Sequence, residues 1–221
     1  LAGLVRSTDP ALSAITVDGQ RVTLGASVTM AQIAADNRLA AIAPAARAVG
    51  GPAVRNMATV GGNLFAPAPY GDFATALLAL DATVRTSEGE ISLDEFLDTR
   101  DTIKGVVASV SFDLPEAGAF RFLKVSRVKP KGISVLSIAA HLTMTGPKVA
   151  QASIALGAMA PRPIRARAAE DALQGAELTP EGIAPALEKI TEGTSPATDA
   201  IASAWYRGEV LPVHFRRLLL E

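Results

Sequence analysis

The chain has 221 residues, of which 49% are hydrophobic and 19% are charged, proportions typical of a globular protein with one or two domains. Lys and Arg together number 21 against 22 for Asp and Glu, without a basic cluster, which argues against nucleic acid or an anionic membrane as the main partner. Cysteine is absent, so disulfides, Cys-ligated zinc, iron–sulfur clusters and a cysteine nucleophile are excluded within this chain.

The first sixty residues predict a hairpin, two helices and a strand. Asp18-Gly19 lies between two alternating runs and is a strong signal for a two-residue hairpin turn. Thr29 followed three residues later by Gln32 is a capping box, which marks the start of a helix. In chain order, the predicted elements are a hairpin at 14–25, a helix from Thr29, an Ala-rich helix at 39–50 and a short strand at 56–60.

The middle of the chain predicts a buried helix and more strands. Asp72 is placed to be the N-cap of a nearly all-apolar helix, and Ser92 with Glu95 forms a second capping box. Pro115 ends the last alternating run. The predicted elements are a helix at 72–82, a hairpin at 83–93, a helix that follows it and a strand at 109–115.

Residues 116–119 form the best candidate for a domain junction, because they are small and follow a proline directly. After this junction the pattern is that of a small sheet followed by helices. Pro212 is expected to kink or split the last helix. The predicted strands are at 120–128, 134–144 and 149–159, and the predicted helices are at 163–175, 179–193 and 199–221.

Gly61 and Gly62 interrupt the predicted strand at 56–60 and require an explanation, because glycine inside a strand weakens it. Backbone N–H groups without a neighbouring Cβ can face a ligand oxygen, and Thr59 and Asn63 would add polar side chains that suit a phosphate or a polyol. The simpler interpretation from the residues alone is a glycine bulge. Proline at positions 67 and 69 and the lack of a G-x-G-x-x-G pattern argue against a dinucleotide fingerprint.

The other polar candidates have simple structural interpretations. Asp72 could cap its helix or bind a sugar hydroxyl, and both remain open. His141 and His214 have no ligand at metal-binding spacing and are expected in the core or on the surface. The basic run of Arg127, Lys129 and Lys131 is expected to be a solvated edge. No catalytic triad or nucleophile elbow is indicated, so neither a catalytic nor a metal-binding residue is predicted.

Residues 53–72, "AVRNMATVGGNLFAPAPYGD", resemble the second flavin-contacting segment of the FAD-binding subunit of molybdenum hydroxylases, the family of xanthine dehydrogenase and aerobic carbon monoxide dehydrogenase. The family pattern is Arg-Asn-x-Ala-Thr-[Val/Ile]-Gly-Gly-Asn, a short loop and then Asp. Similar segments extend over nearly the whole chain: "VTLGASVTMAQIA", "ALLALDATV", "FLKVSRVKPKGISVLSIAA", "GAMAPRPIRARAAEDALQG" and "DAIASAWYRGEVLPVHFRRLL".

The resemblance implies an α+β fold with two domains. Residues 1–115 would form a PCMH-type FAD-binding domain, a mixed sheet with flanking helices. Residues 116–221 would form a C-terminal domain with a small antiparallel sheet and a three-helix bundle. It also implies a set of FAD-binding positions, which are Thr59, Val60, Gly61, Gly62, Asn63, Asp72, Lys124, Val49 and Val107. Among them, Lys124 matches a basic residue near the flavin ring system.

The function implied by the resemblance is electron relay. FAD on this chain would collect electrons from an iron–sulfur subunit, which receives them from a molybdopterin-containing large subunit, and would pass them to an acceptor. The absence of cysteine fits, because the clusters would lie on another chain. No apolar run approaches the roughly 18 residues of a membrane span, and a cytoplasmic location is expected.

One departure from the family pattern concerns the N-terminal segment. The family carries an Ala-Gly-Gly-x-[Ser/Thr] loop that wraps the pyrophosphate, and Leu1 aligns just after it. The chain is therefore expected to lack this segment and to hold FAD weakly by itself. The alternative is a flavin-free interaction module that keeps the fold and the partner surface.

Overall fold

The computed structural model describes residues 7–128 and 132–221. Within them the chain forms two antiparallel sheets with helices packed around and between them. The strands are β1 (Ile15–Asp18), β2 (Arg21–Gly25), β3 (Thr83–Thr86), β4 (Gly89–Ser92), β5 (Val107–Asp113), β6 (Phe120–Ser126), β7 (Ser134–Thr145), β8 (Lys148–Gly157) and β9 (Ile164–Arg165). The helices are α1 (Met30–Ala35), α2 (Ala43–Ala48), α3 (Pro52–Met57), α4 (Val60–Leu64), α5 (Asp72–Ala79), α6 (Leu93–Thr99), α7 (Arg167–Leu173), α8 (Ala184–Lys189) and α9 (Ala204–Leu220), with short 3-10 helices at Pro10–Ser13 and Asn37–Leu39.

The first sheet has the strand order β1-β2-β5-β3-β4. Both hairpins predicted from the sequence are confirmed, with β1 paired to β2 and β3 paired to β4. The α+β class is confirmed, but the described strands of this sheet all pair antiparallel rather than forming a mixed sheet. The reason is topological, because β5 lies between the two hairpins and runs antiparallel to the strand that it meets in each.

The second sheet has the order β6-β7-β8-β9 and carries helices on both faces. Alternation along β7 separates the two faces, as expected for a strand buried on both sides. The first sheet with α1–α6 forms the N-terminal, or first, unit, and the second sheet with α7–α9 forms the C-terminal, or second, unit. Ile138 and Ala140 pack in one hydrophobic cluster with α7, α8 and α9, whereas Ala139 belongs to the core of the first unit. The predicted small antiparallel sheet followed by three helices is therefore confirmed.

Helix α9 runs through Pro212 without being split, so the expected split is wrong, whereas a kink at Pro212 stays a prediction. Its buried residues recur at every fourth position and fix one face of the helix to the second sheet: Arg207, Leu211, Phe215 and Leu219. This packing outweighs the lost backbone hydrogen bond of a single proline. No helix in the described parts of the chain is long and apolar enough to cross a membrane.

Four local predictions were wrong. Residues 56–60 do not form a strand: α3 occupies 52–57, and Thr59 then serves as the N-cap of α4. The helices expected at 39–50 and 179–193 are shorter, with α-helix only at 43–48 and 184–189. The helix expected at 163–175 begins later, because Ile164 and Arg165 pair with β8 before α7 starts. Contacts with distant segments override the local pattern at Thr59, which bridges to Thr29, and at Ile164.

Helix α5 joins the two units. All eight of its residues are buried, and it packs on α2 and α4 on one side and on β7 and β8 on the other. Ion pairs between the units share one polarity, with the acidic group always on the N-terminal unit and the basic group on the C-terminal unit. These pairs are Asp72–Lys124, Asp81–Arg165, Asp94–Arg162, Asp94–Arg167 and Asp98–Arg162.

Candidate functional site

A cleft of about 550 Å³ lies between α3, α4, the start of α5, β6 at Lys124 and the start of β7. Its volume is in the range of small-molecule sites, which are roughly 300–1,000 Å³. Its walls are formed mainly by glycine backbone and apolar side chains, with a few polar groups among them. The lining residues are Val49, Gly50, Gly51, Val54, Met57, Ala58, Thr59, Gly62, Asn63, Ala66, Pro69, Tyr70, Asp72, Lys124, Gly132, Ile133 and Ser134.

Gly61 and Gly62 lie in the first turn of α4, not in a strand, and they have different surroundings. A Cβ on Gly61 would lie 3.1 Å from the backbone oxygen of Ala26, so close packing explains this glycine without a ligand. Gly62 lies on the cleft wall, and among the described residues, outside its own helix backbone, an added Cβ would meet the Thr59 hydroxyl oxygen at 3.1 Å. The sequence treated the two glycines as one feature, whereas only Gly62 faces the cleft.

The backbone N–H groups of these glycines already have partners within the chain. Gly61 donates to Ala26 O at 2.8 Å, and Gly62 donates to Thr59 Oγ1 at 3.1 Å as part of the helix cap. The expectation that both N–H groups point at a ligand is therefore not supported. The hydrogen-bond donor that the wall can present to a ligand is instead the Thr59 hydroxyl, which donates to no acceptor among the residues that the structure describes.

Asn63 is oriented by the start of α5. Its Oδ1 accepts a hydrogen bond of 2.8 Å from the Ala74 N–H, in a buried position. Because the oxygen of the amide makes this bond, the NH₂ group at the other end of the amide is the one that can donate into the cleft that Asn63 lines. Within the described ranges that NH₂ group donates to no other atom. Thr59 and Asn63 together give the cleft two uncommitted donors next to bare glycine backbone.

Asp72 is not the N-cap of α5, as the sequence suggested, because Gly71 occupies that position and Asp72 is the first helical residue. Its carboxylate is directed elsewhere, with Oδ1 accepting from Ser134 Oγ at 2.6 Å and Oδ2 lying 2.9 Å from Lys124 Nζ. The Asp72 side chain is 5% exposed and that of Lys124 12% exposed. Lys124 Nζ also donates to Ala48 O at 2.8 Å, so the ammonium is held between two units of the fold.

The structure brings most, but not all, of the predicted positions to the cleft. Its wall includes Val49, Thr59, Gly62, Asn63, Asp72 and Lys124. Val60 and Gly61 lie behind this wall, where Val60 is fully buried in the core. Val107 is also buried, in β5, where it pairs with Thr86, and it is not part of the lining.

Two lining segments were missed by sequence reasoning. Gly50 and Gly51, at the end of the Ala-rich run that was predicted as a helix, form part of the cleft wall. Gly50 has a φ of +51°, which favours glycine, and its carbonyl accepts a 2.7 Å hydrogen bond from Arg55. Ser134 belongs to a mostly apolar stretch that was predicted as a strand. The Gly50-Gly51 pair next to the matched Arg55 was the available signal, whereas Ser134 gave none.

The described residues contain no group of three or more His, Cys, Asp or Glu side chains that could hold a metal ion. His141 is half-buried in β7, and burial lowers its pKa below 6.5; Asp81 has a smaller influence that raises the pKa, and Arg165 has a smaller one that lowers it further. Arg127 is exposed, as expected for a solvated edge. Lys129 and Lys131 lie outside the described residues.

The cleft fits a flavin nucleotide in its chemistry. Apolar and glycine walls suit a flat aromatic ring, the Thr59 and Asn63 donors suit phosphate or hydroxyl oxygens, and the Lys124 ammonium supplies a fixed positive charge. A side chain at Gly62 would enter the cleft next to these donors. The residues present are therefore compatible with FAD.

Comparisons with known proteins agree with this assignment over both units. Residues 8–112 match the family described as "FAD binding domain in molybdopterin dehydrogenase", and residues 121–221 match "CO dehydrogenase flavoprotein C-terminal domain". The nicotinate dehydrogenase FAD-subunit of Eubacterium barkeri is 29% identical and aligns over 95% of this chain and 77% of its own length.

Other relatives cover the chain to different extents. The glyceraldehyde dehydrogenase medium chain of Sulfolobus acidocaldarius is 29% identical over 76% of this chain, and the chain spans 63% of that relative's length. The putative xanthine dehydrogenase FAD-binding subunit XdhB of Escherichia coli is 27% identical over 90% of this chain and 73% of its own length.

Solved structures show the same fold. The carbon monoxide dehydrogenase of Hydrogenophaga pseudoflava matches with a TM-score of 0.86 and 26% identity, over 95% of this chain and 77% of the matched chain. Quinoline 2-oxidoreductase from Pseudomonas putida matches with a TM-score of 0.84 and 27% identity over the same shares. The chain therefore belongs to the family of FAD-binding medium subunits of molybdenum hydroxylases, the oxidoreductases that include the carbon monoxide and xanthine dehydrogenases.

Proposed function

We propose that this chain binds FAD in the cleft and relays electrons between partner subunits and an external acceptor. The observation that carries this proposal is the Lys124 ammonium, held in the cleft wall by Asp72 and Ala48, facing the same space as the bare Gly62. When bound, FAD supplies the redox chemistry, and the protein binds, orients and tunes it. No acid or base from this chain is required.

Each lining group has a role in this proposal. Thr59 and Asn63 donate hydrogen bonds to oxygens of the cofactor, while Gly62 allows it to approach the backbone. Lys124 contributes a positive charge that favours the electron-rich form of a bound group. Val49 adds apolar contact from the cleft wall. Asp72 fixes Lys124, and Val60, Gly61 and Val107 support the wall from behind rather than by contact.

The proposed partners are an iron–sulfur subunit and a molybdopterin-containing large subunit. Support comes from the relatives, which are named as medium chains or FAD subunits of larger enzymes. We also propose the domain limits 1–115 and 116–221. The two sheets lie on either side of this boundary, with β5 ending at Asp113 and β6 beginning at Phe120.

A second candidate is a flavin-free interaction module with the same fold. One observation favours it: the N–H groups of Gly61 and Gly62 and both oxygens of Asp72 have partners within the chain. Because these polar groups already have partners within the chain, the protein needs no ligand at the cleft in order to fold.

Flavin titration separates the two candidates. The purified chain is titrated with FAD while flavin fluorescence is followed, and its visible spectrum is recorded. The variant Lys124→Met should bind FAD at least tenfold more weakly, whereas the exposed Lys148→Met serves as a matched control and should bind like the wild type. A folded wild-type protein without measurable flavin affinity would favour the interaction module, and equal affinities of the two variants would remove Lys124 from the site.

A further inference from the structure

We propose that Ser134 is a positioning residue, which acts through Asp72 to hold the Lys124 ammonium at the cleft. The positioning itself is a property of this chain, whereas its effect on a bound flavin rests on the function proposed above. The three side chains come from three different elements, with Asp72 on α5, Lys124 on β6 and Ser134 on β7. Together they link the two units at the site.

The Ser134 hydroxyl fixes the carboxylate from the side opposite Lys124. Ser134 is 1% exposed, and its Oγ donates to Asp72 Oδ1 at 2.6 Å, a length typical of a hydrogen bond to a charged oxygen. The other oxygen, Oδ2, lies 2.9 Å from Lys124 Nζ. Because each oxygen has a separate partner, the carboxylate is held in one rotation, which keeps Oδ2 towards the lysine.

Lys124 depends on this arrangement because its side chain is long and flexible. An ammonium has three N–H donors, and two of its partners here are Asp72 and the Ala48 carbonyl. The remaining donor is available to the cleft that Lys124 lines. If the carboxylate rotated, the ammonium would lose one of its two anchors, and its charge would no longer be fixed at this point.

A second buried serine on β7 shows that burial alone does not explain Ser134. Ser137 is also inaccessible to solvent, but its hydroxyl has no hydrogen-bond partner among the described residues. It faces Gly157 and Thr75, away from the cleft lining. The chain therefore tolerates a serine here without a partner, whereas Ser134 has a specific one.

The consequence for a bound flavin follows from charge. A fixed cation stabilises the electron-rich form of the cofactor more than the oxidised form, so displacing it should weaken binding of the reduced form selectively. We expect Ser134→Ala to lower the preference for reduced over oxidised flavin about tenfold, which moves the two-electron midpoint potential by about 30 mV to more negative values. Ser137→Ala is the matched control and should leave the potential unchanged.

The mechanism is tested by combining substitutions. If Ser134 acts through Asp72, Ser134→Ala should change the potential little further in an Asp72→Asn background. Additive shifts would overturn the proposal, as would a Ser134→Ala potential equal to that of the wild type. Should the alanine variant fail to fold, Ser134→Cys has a similar volume and a weaker donor, and it should give a smaller shift in the same direction.

A measurement without flavin keeps this inference separate from the proposed function. Urea unfolding gives the free energies of unfolding of four proteins: the wild type, Ser134→Ala, Asp72→Asn and the double variant. These four values form a double-mutant cycle. If Ser134 positions Asp72, the effects of Ser134→Ala and Asp72→Asn on the free energy of unfolding should not be additive. The effects of Ser137→Ala and Asp72→Asn should be additive. Absence of coupling overturns the inference. If the wild type binds no flavin and the coupling is present, the proposed function fails but the positioning stands.

Discussion

At Gly61 an added Cβ would lie 3.1 Å from the backbone oxygen and 3.2 Å from the Cβ of Ala26, whereas at Gly62 it would lie 3.1 Å from a side-chain atom, the Thr59 hydroxyl oxygen. Both positions are in α4, so an alanine would gain up to about 1 kcal/mol of helix propensity at either. Gly61→Ala must also displace backbone, and such overpacking typically costs about 1–3 kcal/mol.

We therefore predict different profiles for the two alanine variants. Gly61→Ala should lower the free energy of unfolding by about 1 kcal/mol, the difference between these two effects. Gly62→Ala should change the free energy of unfolding less, because the Thr59 hydroxyl can shift where the Ala26 backbone cannot, but it should weaken FAD binding, because its methyl group lies on the cleft wall. Urea unfolding and flavin titration measure the two quantities. Equal flavin affinity in Gly62→Ala and the wild type would contradict the assigned role of Gly62.

His141 predicts a pH dependence of stability. Burial lowers its pKa below 6.5, so the folded state binds the proton less readily than the unfolded state. The free energy of unfolding should therefore be fully retained above pH 6.5 and fall as the pH drops below that value towards the folded pKa.

The His141→Gln variant isolates this contribution. It removes the titrating group while keeping a polar side chain, so its free energy of unfolding should depend less on pH between about 7 and 5. Urea unfolding of both proteins at several pH values provides the comparison. The same slope in both would show that other groups cause the loss of stability.

At the scale of the elements, α9 contains a glycine for which the fold shows no structural need. An added Cβ on Gly208 would have no neighbour within 4 Å, and the residue lies inside a 17-residue helix. Gly208→Ala should therefore raise the free energy of unfolding by about 1 kcal/mol through helix propensity alone. Thermal or urea unfolding will measure this change.

Gly175 is the matched comparison for this prediction. Its added Cβ would also meet open space, but its φ is +77°, in the region that L side chains rarely adopt. Gly175→Ala should consequently lower the free energy of unfolding, by about 1–2 kcal/mol. A stabilised Gly175→Ala, or a destabilised Gly208→Ala, would show that the local backbone is not what controls these two sites.

At the scale of the whole molecule, the fully buried α5 makes the two units depend on each other. It contributes to the core of the first sheet and also packs on β7 and β8, and Asp72 at its start and Asp81 just after its end form ion pairs with the second unit. Separating the units would expose the apolar residues on one side of α5. Each Å² of apolar surface exposed to water would cost roughly 25 cal/mol of free energy.

We therefore predict cooperative unfolding. Hydrogen exchange at increasing urea should give the amides of β3, in the first sheet, and of β8, in the second, the same opening free energy. A markedly lower value for one strand would mean that its unit opens independently and that α5 does not couple them. Gly208→Ala, which lies far along the chain in α9, should then raise the opening free energy of both strands equally.

The sequence alone determined features that depend on neighbours along the chain. Asp18-Gly19 specified the first hairpin, Thr29 with Gln32 formed the predicted capping box, and the apolar run at 72–82 gave a buried helix. Turn conformation, helix capping and hydrophobic periodicity are local properties, so they can be recognised without knowing the fold. The motif at 53–72 likewise identified the family, and four of the positions predicted from it line the cleft: Thr59, Gly62, Asn63 and Asp72.

Only the tertiary structure decided what depends on contacts between distant residues. Residues 56–60 looked like a strand, but Thr59 forms only an isolated bridge with Thr29 and caps α4 instead. Asp72 looked like a helix cap, but its partners lie 52 and 62 positions further along the chain, at Lys124 and Ser134. Such pairs form because the two sheets pack against α5, and short-range patterns carry no information about that packing.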